Sequence, residues 1–376
     1  INAIETCPDE SSLVLIDVSW EIIVGLKSLA PNYGWKISIF SSPLSHFRYR
    51  LCGKFKFWKT FLGEILLSLQ SIWITRRTFG RPSFSRISNR SDYLIKSFTY
   101  SKNFKGKDKY TDPFFGLFSS FIGHSSEPAK TVATAIGFKE KKKCYALMKE
   151  LTFPVHPLES YLHYSDVILR ACQWLYLFLF NSFKIKDEIR FFGYEVTAFF
   201  REFVRSGGLR ISFFQFIHFD VGKTLGTLYN FKTCLMTYEG RPWERFFIAG
   251  LRKANMKTII VGYQHTVIPL SATDMFLHPK EQKLIPLPDK IVTVGMKTKK
   301  ILERYSYFPK EQIMAGCALR FESFQNLSLL KCRKETKNNF VLLQQRKHCE
   351  AHTPFRSTHT FRSTHTFRVF HVFLSI

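Results

Sequence analysis

Acidic residues are scarce in this chain. Its 376 residues include 29 Asp and Glu against 55 Lys and Arg, which leaves a formal net charge of +26. Such a surplus of positive charge favours polyanionic partners: phosphates, nucleic acid or an anionic membrane surface. The surplus is spread along the chain rather than confined to one helix. Any single basic cluster is therefore expected to be an ordinary solvated surface.

Paired cysteines and long hydrophobic runs are also missing. The eight cysteines include no Cys-x-x-Cys pair, which disfavours a zinc site or a disulfide framework and favours reduced thiols in the cytosol. The longest apolar segment, 171–183, is too short for a bilayer span, which needs ~20 residues. The first ten residues lack the basic and apolar regions of a signal peptide. We therefore expect a cytoplasmic protein.

Apolar runs alternate with helical patterns in the second half of the chain. Strands that alternate with helices in this way indicate a parallel sheet that is covered on both faces. The sequence therefore predicts an α/β fold with a Rossmann-like parallel sheet and helical additions. The predicted strands are 233–237, 258–261, 289–295 and 312–316.

The first third of the chain has weaker patterns. A strand is expected at 13–17 and a helix over 57–74. Residues 75–110 are basic and rich in Ser, Arg and Gly, which is typical of a long loop or linker. The segment 222–224 is not a phosphate-binding loop, because Ile217 stands where that motif needs glycine. A helix start is expected there instead.

Charged and polar side chains follow two neighbouring strands of the predicted sheet. Loops at the carboxyl ends of parallel strands meet at one edge of the sheet, where open α/β proteins bind ligands. We therefore predict that the two loops form one wall of a cleft. The side chains are Glu239, Arg241 and Glu244 after the strand 233–237, and Gln264, His265 and Thr266 after the strand 258–261.

These residues also have structural interpretations. Pro242 suits the first position of a helix, so Glu244 falls in the first turn, where the helix dipole favours a carboxylate. Helix capping is therefore an open alternative to a functional role for Glu244. A lone histidine is more often structural, but Gln264 and His265 together beside an acidic loop favour function.

Four segments of the chain resemble a known family. They are Tyr-Glu-Gly-Arg-Pro-Trp-Glu (238–244), Gly-Tyr-Gln-His-Thr (262–266), Pro-Leu-Pro-Asp-Lys-Ile-Val-Thr-Val-Gly (286–295) and Gly-Cys-Ala-Leu-Arg (316–320). Together they resemble bacterial surface-carbohydrate biosynthesis proteins, which are similar to glycosyltransferases of the GT-B type with two facing Rossmann-like domains. The resemblance extends over about 190–325 and is looser over 108–190, where Asp112-Pro-Phe-Phe-Gly116 fits.

The resemblance implies a glycosyltransferase-like protein of surface polysaccharide biosynthesis, which transfers a sugar from a nucleotide-sugar donor to a glycan acceptor. The C-terminal domain would hold most of the donor, and the N-terminal domain would hold the acceptor. No cofactor is expected besides the donor, and a metal-independent mechanism is preferred because no Asp-x-Asp motif lies near these loops. The predicted catalytic residues are Glu239 as first general base candidate, Glu244 as the second, and His265. The predicted substrate-binding residues are Arg241, Gln264, Thr266 and Arg320.

Two other functions fit the sequence. A nucleotide-sugar epimerase on the same fold handles the same class of substrate. A non-catalytic protein that binds an anionic polymer or nucleic acid would concentrate Lys and Arg along one groove with exposed aromatic residues. As partners we expect a nucleotide sugar and a glycan acceptor rather than nucleic acid. We also expect peripheral contact with the anionic inner face of the cell membrane.

The C-terminal part departs from the pattern of two complete domains. A second Rossmann-like domain should follow Gly316, but only 339–344 resembles a strand before the six-residue repeat Thr-His-Thr-Phe-Arg-Ser begins. We interpret the repeat as non-native sequence, with a basic-aromatic tail that binds nucleic acid or anionic lipid as the alternative. A truncated donor domain predicts that this chain does not catalyse transfer. The predicted divisions are a basic α/β N-terminal region at 1–110, a Rossmann-like acceptor-side domain at 111–318, a linker and first donor-domain strand at 319–350, and an unfolded repeat tail at 351–376.

Overall fold

The computed structural model describes residues 12–16, 20–40, 43–80, 92–106, 110–118, 129–135, 138–152, 155–180, 188–191, 194–205, 212–269 and 272–320. The strand predicted at 339–344 and the repeat tail at 351–376 lie outside these residues. The chain divides into two compact units, one of 1–46, 186–202 and 329–376, the other of 47–185 and 203–328. The second, here called the sheet unit, contains every predicted site residue.

Strands and helices follow one another along most of the described chain. The strands are β1 Ser12–Ile16, β2 Lys36–Phe40, β3 Tyr93–Thr99, β4 Ala129–Ala135, β5 Val155–Pro157, β6 Arg190–Phe191, β7 Tyr194–Glu195, β8 Thr233–Thr237, β9 Ile259–Gln264, β10 Lys290–Thr293 and β11 Ile313–Ala315. The helices are α1 Trp20–Leu29, α2 Pro43–Phe79, α3 Phe138–Glu150, α4 Tyr164–Phe180, α5 Thr197–Arg205, α6 Phe213–Leu228, α7 Pro242–Ala254 and α8 Met296–Tyr305. Short 3-10 helices occur at Ala30–Tyr33, Ser101–Asn103, Leu158–Tyr161, Thr273–Met275 and Lys310–Gln312. No helix in the described part of the chain combines the length and hydropathy that a bilayer span requires.

The first unit contains two small strand pairs. Strands β1 and β2 pair in parallel, with helix α1 between them in the sequence. Strands β6 and β7 form an antiparallel pair. The strand predicted at 13–17 is confirmed by β1.

A seven-stranded sheet forms the centre of the sheet unit. Its order is β11-β10-β9-β8-β3-β4-β5, and every neighbouring pair is parallel. This confirms the predicted α/β fold with a Rossmann-like parallel sheet. From β3 the chain proceeds outwards to β4 and β5, whereas from β8 it proceeds outwards in the other direction. The strand order therefore reverses between β3 and β8.

Alternate residues of each strand face opposite layers of the sheet unit. Leu94 and Met236 belong to the main core, which helices α6 and α7 help to form. Their neighbours Ile95 and Leu235 pack on the opposite face, with Tyr263. A side-chain period of two, with apolar residues on both faces, is what a parallel strand covered by two layers requires.

Helices α6 and α7 are in close contact. A Cβ atom on Gly222 would overlap the backbone oxygen of Phe247, so a glycine is needed where the helices meet. Gly222 lies in the middle of α6. The helix start predicted at 222–224 is therefore wrong, because this glycine serves helix packing and not helix initiation.

The loop predicted at 75–110 is wrong at 75–79 and at 93–99, while 81–91 and 107–109 lie outside the described residues. Helix α2 continues to Phe79, and β3 lies at the centre of the sheet. Lys96 and Ser97 lower the hydropathy of β3, yet both residues are fully buried. Because β3 precedes residue 111, the sheet includes part of the segment that the sequence assigned to an N-terminal region.

Candidate functional site

The reversal of strand order between β3 and β8 marks the place where open α/β sheets bind ligands, in the crevice beyond the carboxyl ends of the strands. Three segments meet this edge of the sheet: the turn after β8, the residues after β9, and the loop 110–118 that follows β3. The candidate site is built from these segments.

A glycine and a buried carboxylate shape the turn after β8. Gly240 has a φ of +73°, and a Cβ atom there would overlap the backbone oxygen of Asp274. Glu244, in the first turn of α7, accepts hydrogen bonds from the backbone N–H groups of Glu239, at 2.9 and 3.0 Å, and of Arg241, at 2.8 Å. Gly240 therefore allows the chain to turn tightly from the sheet into the helix. The hydrogen bond from the Arg241 N–H group to Glu244 is one half of a capping box.

The carboxylate of Glu239 contacts three other side chains. Its Oε1 accepts a hydrogen bond from the Thr266 hydroxyl at 3.1 Å and lies 3.5 Å from His265 Nε2. Its Oε2 lies 3.7 Å from the Nε of Arg241. Arg241 also donates a hydrogen bond from Nη1 to Asp274 at 2.9 Å. The structure thus brings Glu239, Arg241, His265 and Thr266 together, while their roles in binding or catalysis stay predictions.

The imidazole of His265 is almost fully enclosed, with 8% of the side chain exposed. Burial lowers the pKa of His265 because it disfavours the charged ring, and the carboxylate of Glu239 opposes this shift. Arg320 lowers the pKa further, so its positive charge reaches this site. The imidazole is therefore neutral near pH 7 and can accept a proton.

Glu244 and Gln264 face the interior instead. Glu244 is 1% exposed, and desolvation raises its pKa to about 8 in spite of its backbone hydrogen bonds. The buried amide of Gln264 donates a hydrogen bond to the backbone oxygen of Thr266. Both side chains hold the loops that carry Glu239 and His265, and neither presents a free polar group to an open surface.

The segment that carries Arg320 is attached to the sheet by a tyrosine. The hydroxyl of Tyr263 donates a hydrogen bond to the backbone oxygen of Cys317 and accepts one from the N–H of Leu319, both at 3.0 Å. Tyr263 belongs to β9, directly before the polar residues of the site. This anchor explains how Arg320 acts on His265 from the far end of the described chain.

The loop after β3 places an aromatic ring against His265. The buried carboxylate of Asp112 accepts hydrogen bonds from the N–H groups of Phe114 and Phe115, at 2.8 and 2.9 Å, and from the Tyr110 hydroxyl at 3.2 Å. The ring of Phe114 then lies 4.4 Å from the imidazole, in an edge-on arrangement. Asp112 therefore fixes the loop, and the loop covers one side of the histidine.

Further aromatic rings continue from Phe114 across the sheet edge. The ring of Phe98 is 6.2 Å from Phe114 and 5.0 Å from Trp243, in edge-on contacts. All three rings are partly exposed. Together, Phe98, Phe114 and Trp243 form an aromatic wall next to the Glu239 cluster.

A buried lysine lies behind the aromatic wall. The Nζ atom of Lys96 is 3.9 Å from the ring centre of Phe98 and 4.0 Å from that of Trp243. It also donates a hydrogen bond to the Thr134 hydroxyl at 3.4 Å. Burial lowers the pKa of Lys96 to about 7, although the carboxylate of Glu244 opposes the shift.

Lys96 and Phe98 were missed by sequence reasoning. The available signal was the run Tyr93-Leu-Ile-Lys-Ser-Phe-Thr99, in which Tyr, Ile, Phe and Thr favour a strand in spite of the lysine. The basic, serine-rich residues on its amino-terminal side favoured a loop instead. Within the described ranges, no group of three or more His, Cys, Asp or Glu side chains is placed to hold a metal ion.

Comparisons with protein-family models, with curated proteins and with solved structures found no match for this chain. The resemblance to surface-carbohydrate biosynthesis proteins therefore stays a prediction. Function has to be argued from the chemistry of the site.

Proposed function

We propose that the sheet unit is the acceptor-binding half of a glycosyltransferase-like protein of the GT-B type, which acts in surface polysaccharide biosynthesis. The main support is the position of Glu239. Its carboxylate lies at the carboxyl edge of the sheet, next to the reversal of strand order, in contact with His265 and Thr266. This is where an open α/β sheet binds its ligand.

The proposed reaction uses Glu239 as general base. The acceptor hydroxyl loses its proton to the carboxylate while its oxygen bonds to the anomeric carbon of the donor sugar. The bond from that carbon to the nucleotide diphosphate breaks at the same time, and the diphosphate leaves with the electron pair. Thr266 and neutral His265 orient the carboxylate, and exposed Arg241 offers a guanidinium for a phosphate group.

The aromatic wall supports a small-molecule site at this place. Such sites are lined mainly by hydrophobic and aromatic side chains, with a few polar groups that fix the orientation of the ligand. Phe98, Phe114 and Trp243 supply the first kind of surface, and Glu239 and Arg241 supply the second. A sugar ring, with an apolar face and hydroxyl groups at its rim, matches this combination.

The partners in this proposal are a nucleotide sugar and a glycan acceptor, with no further cofactor. The place of action is the cytoplasmic side of the cell membrane. The net charge of +26 supports this location, because anionic lipids attract basic proteins.

Glycan binding by the Glu239→Gln variant tests the proposal. The full chain is titrated by calorimetry with fragments of bacterial surface polysaccharides and with nucleotide sugars. Loss of a hydrogen bond to a charged group should weaken glycan binding by about tenfold or more. Binding is the primary readout because the proposal assigns acceptor binding to the sheet unit.

The control is Glu311→Gln, which changes an exposed carboxylate outside the site and should bind glycans like the wild type. Equal glycan affinity of the wild type and Glu239→Gln would contradict the proposal, as would a lack of glycan binding by the wild type. Conversion of a nucleotide sugar into its epimer without an acceptor would instead favour the epimerase.

A further inference from the structure

Helix α2 carries a row of large apolar side chains on its surface. Their exposed fractions range from 38% for Trp58 to 72% for Phe55. Side chains three, four and seven positions apart lie on the same face of a helix. The row, here called the α2 stripe, consists of Phe55, Trp58, Leu62, Leu66 and Trp73.

The opposite side of α2 is firmly packed. Phe61 stacks on Trp174 of α4 with ring centres 4.4 Å apart, and Ile72 is fully buried. Lys141 of α3 donates a hydrogen bond to the Ser71 hydroxyl at 2.9 Å. The stripe is therefore presented by a fixed helix.

The charge on α2 is almost entirely positive. Its sequence contains seven Lys and Arg residues and a single acid, Glu64. The carboxylate of Glu64 accepts a hydrogen bond from Ser212 at 2.9 Å, so this negative charge faces the body of the sheet unit. Exposed Lys59 follows Trp58 in the sequence, and the guanidinium of Arg77 lies 5.5 Å from the ring centre of Trp73. Positively charged side chains thus lie beside both ends of the stripe.

The dimensions of the stripe favour a position in the plane of a membrane. At a rise of ~1.5 Å per residue, Phe55 and Trp73 are about 27 Å apart along the helix. The stripe follows one face of the helix, apart from the buried face that carries Phe61 and Ile72. An exposed apolar face flanked by basic side chains suits a helix that lies in the headgroup region of anionic lipid. The two tryptophans fit this position, because Trp is enriched at membrane–water interfaces.

We propose that the α2 stripe docks onto an anionic phospholipid surface, with the helix axis parallel to the membrane. A second copy of the chain is a poorer occupant, because two such helices would bring like charges together. The inference rests on the peripheral membrane location proposed above and identifies the part of the protein that contacts the membrane. It is independent of the sugar-transfer chemistry.

Vesicle sedimentation with the full chain tests the proposal. The vesicles contain either phosphatidylcholine alone or equal parts of phosphatidylcholine and phosphatidylglycerol. We expect binding to be at least ~10-fold stronger on the anionic vesicles and to weaken as salt is added. The double variant Leu62→Glu/Leu66→Glu should bind at least ~10-fold more weakly, since it removes two apolar contacts and adds two negative charges.

The matched control is Leu284→Glu, which makes the same change at a leucine that is 80% exposed and lies outside α2. It should bind vesicles like the wild type. Equal binding of the double variant, or no binding of the wild type to anionic vesicles at low salt, would overturn the proposal. A wild-type dimer in light scattering that the double variant abolishes would do so as well, and would assign the stripe to a second copy.

Glycan titration of the double variant keeps this inference distinct from the proposed function. The leucines lie outside the Glu239 cluster, so glycan affinity should stay at the wild-type value when vesicle binding is lost. Loss of both kinds of binding would show that the variant is misfolded, which circular dichroism checks independently. Leu62→Gln/Leu66→Gln, which adds no charge, then repeats the test, and wild-type vesicle binding by this variant would overturn the proposal.

Discussion

The buried amine of Lys96 makes the unfolding of this protein depend on pH in a specific way. Burial lowers the pKa of Lys96 from 10.5 to about 7 in the folded chain. In the unfolded chain the amine keeps its ordinary pKa, so between these two values the unfolded state binds more protons than the folded state. The free energy of unfolding must therefore rise with pH in this window.

The size of the effect follows from the difference between the two pKa values. Each pH unit inside the window contributes ~1.4 kcal/mol. The neighbouring carboxyl group of Glu244 has a pKa raised to about 8. Above that pH the carboxyl group is ionised in both states, so of this pair only Lys96 still binds a different number of protons in the folded and unfolded chains. We expect Lys96→Met, which keeps an unbranched side chain without the amine, to lose about 3 kcal/mol of pH dependence between pH ~8 and ~10.

Urea unfolding followed by tryptophan fluorescence measures this difference. The wild type and Lys96→Met are unfolded over the same series of pH values, together with Lys257→Met, which changes an exposed lysine. The control should follow the wild type throughout. Parallel curves for the wild type and Lys96→Met would refute the reasoning, because they would mean that the buried amine stays protonated in the folded chain through this window.

Two further substitutions test the turn after β8. Gly240→Ala should destabilise the fold by about 2 kcal/mol or more, because φ is +73° and the added Cβ overlaps the backbone oxygen of Asp274; an unchanged melting temperature would contradict this. Glu244 has a pKa raised from 4.5 to about 8. Its contribution to the free energy of unfolding is therefore present at low pH and is lost as pH rises through this range. In the wild type, Glu244 should therefore make the free energy of unfolding fall by a few kcal/mol between pH ~5 and ~8, and Glu244→Gln should lack this decrease. Urea titrations at both pH values measure it. A decrease in the variant equal to that of the wild type would contradict the assignment.

Several features of the sheet and the site follow from local sequence alone. The strand predicted at 233–237 matches β8, because an apolar run of strand length is followed by glycine and proline at the start of a helix. In consecutive parallel strands, carboxyl ends meet at one edge, and Thr237 pairs with Tyr263 in register. The proximity of Glu239 to His265 is a consequence of this connectivity.

Other features depend on contacts between residues that are far apart in the sequence. Strand β3 pairs with β8 across about 140 residues, and no local pattern around Lys96 specifies that partner. The same pairing decides which loop covers His265 with Phe114. Local propensity allowed Glu244 either to cap the helix or to serve in the cleft. Only the packing of α7 turned its carboxylate inward. The exposure of the α2 stripe was undetermined for the same reason, because a helix with apolar residues on several sides does not specify which side its neighbours cover.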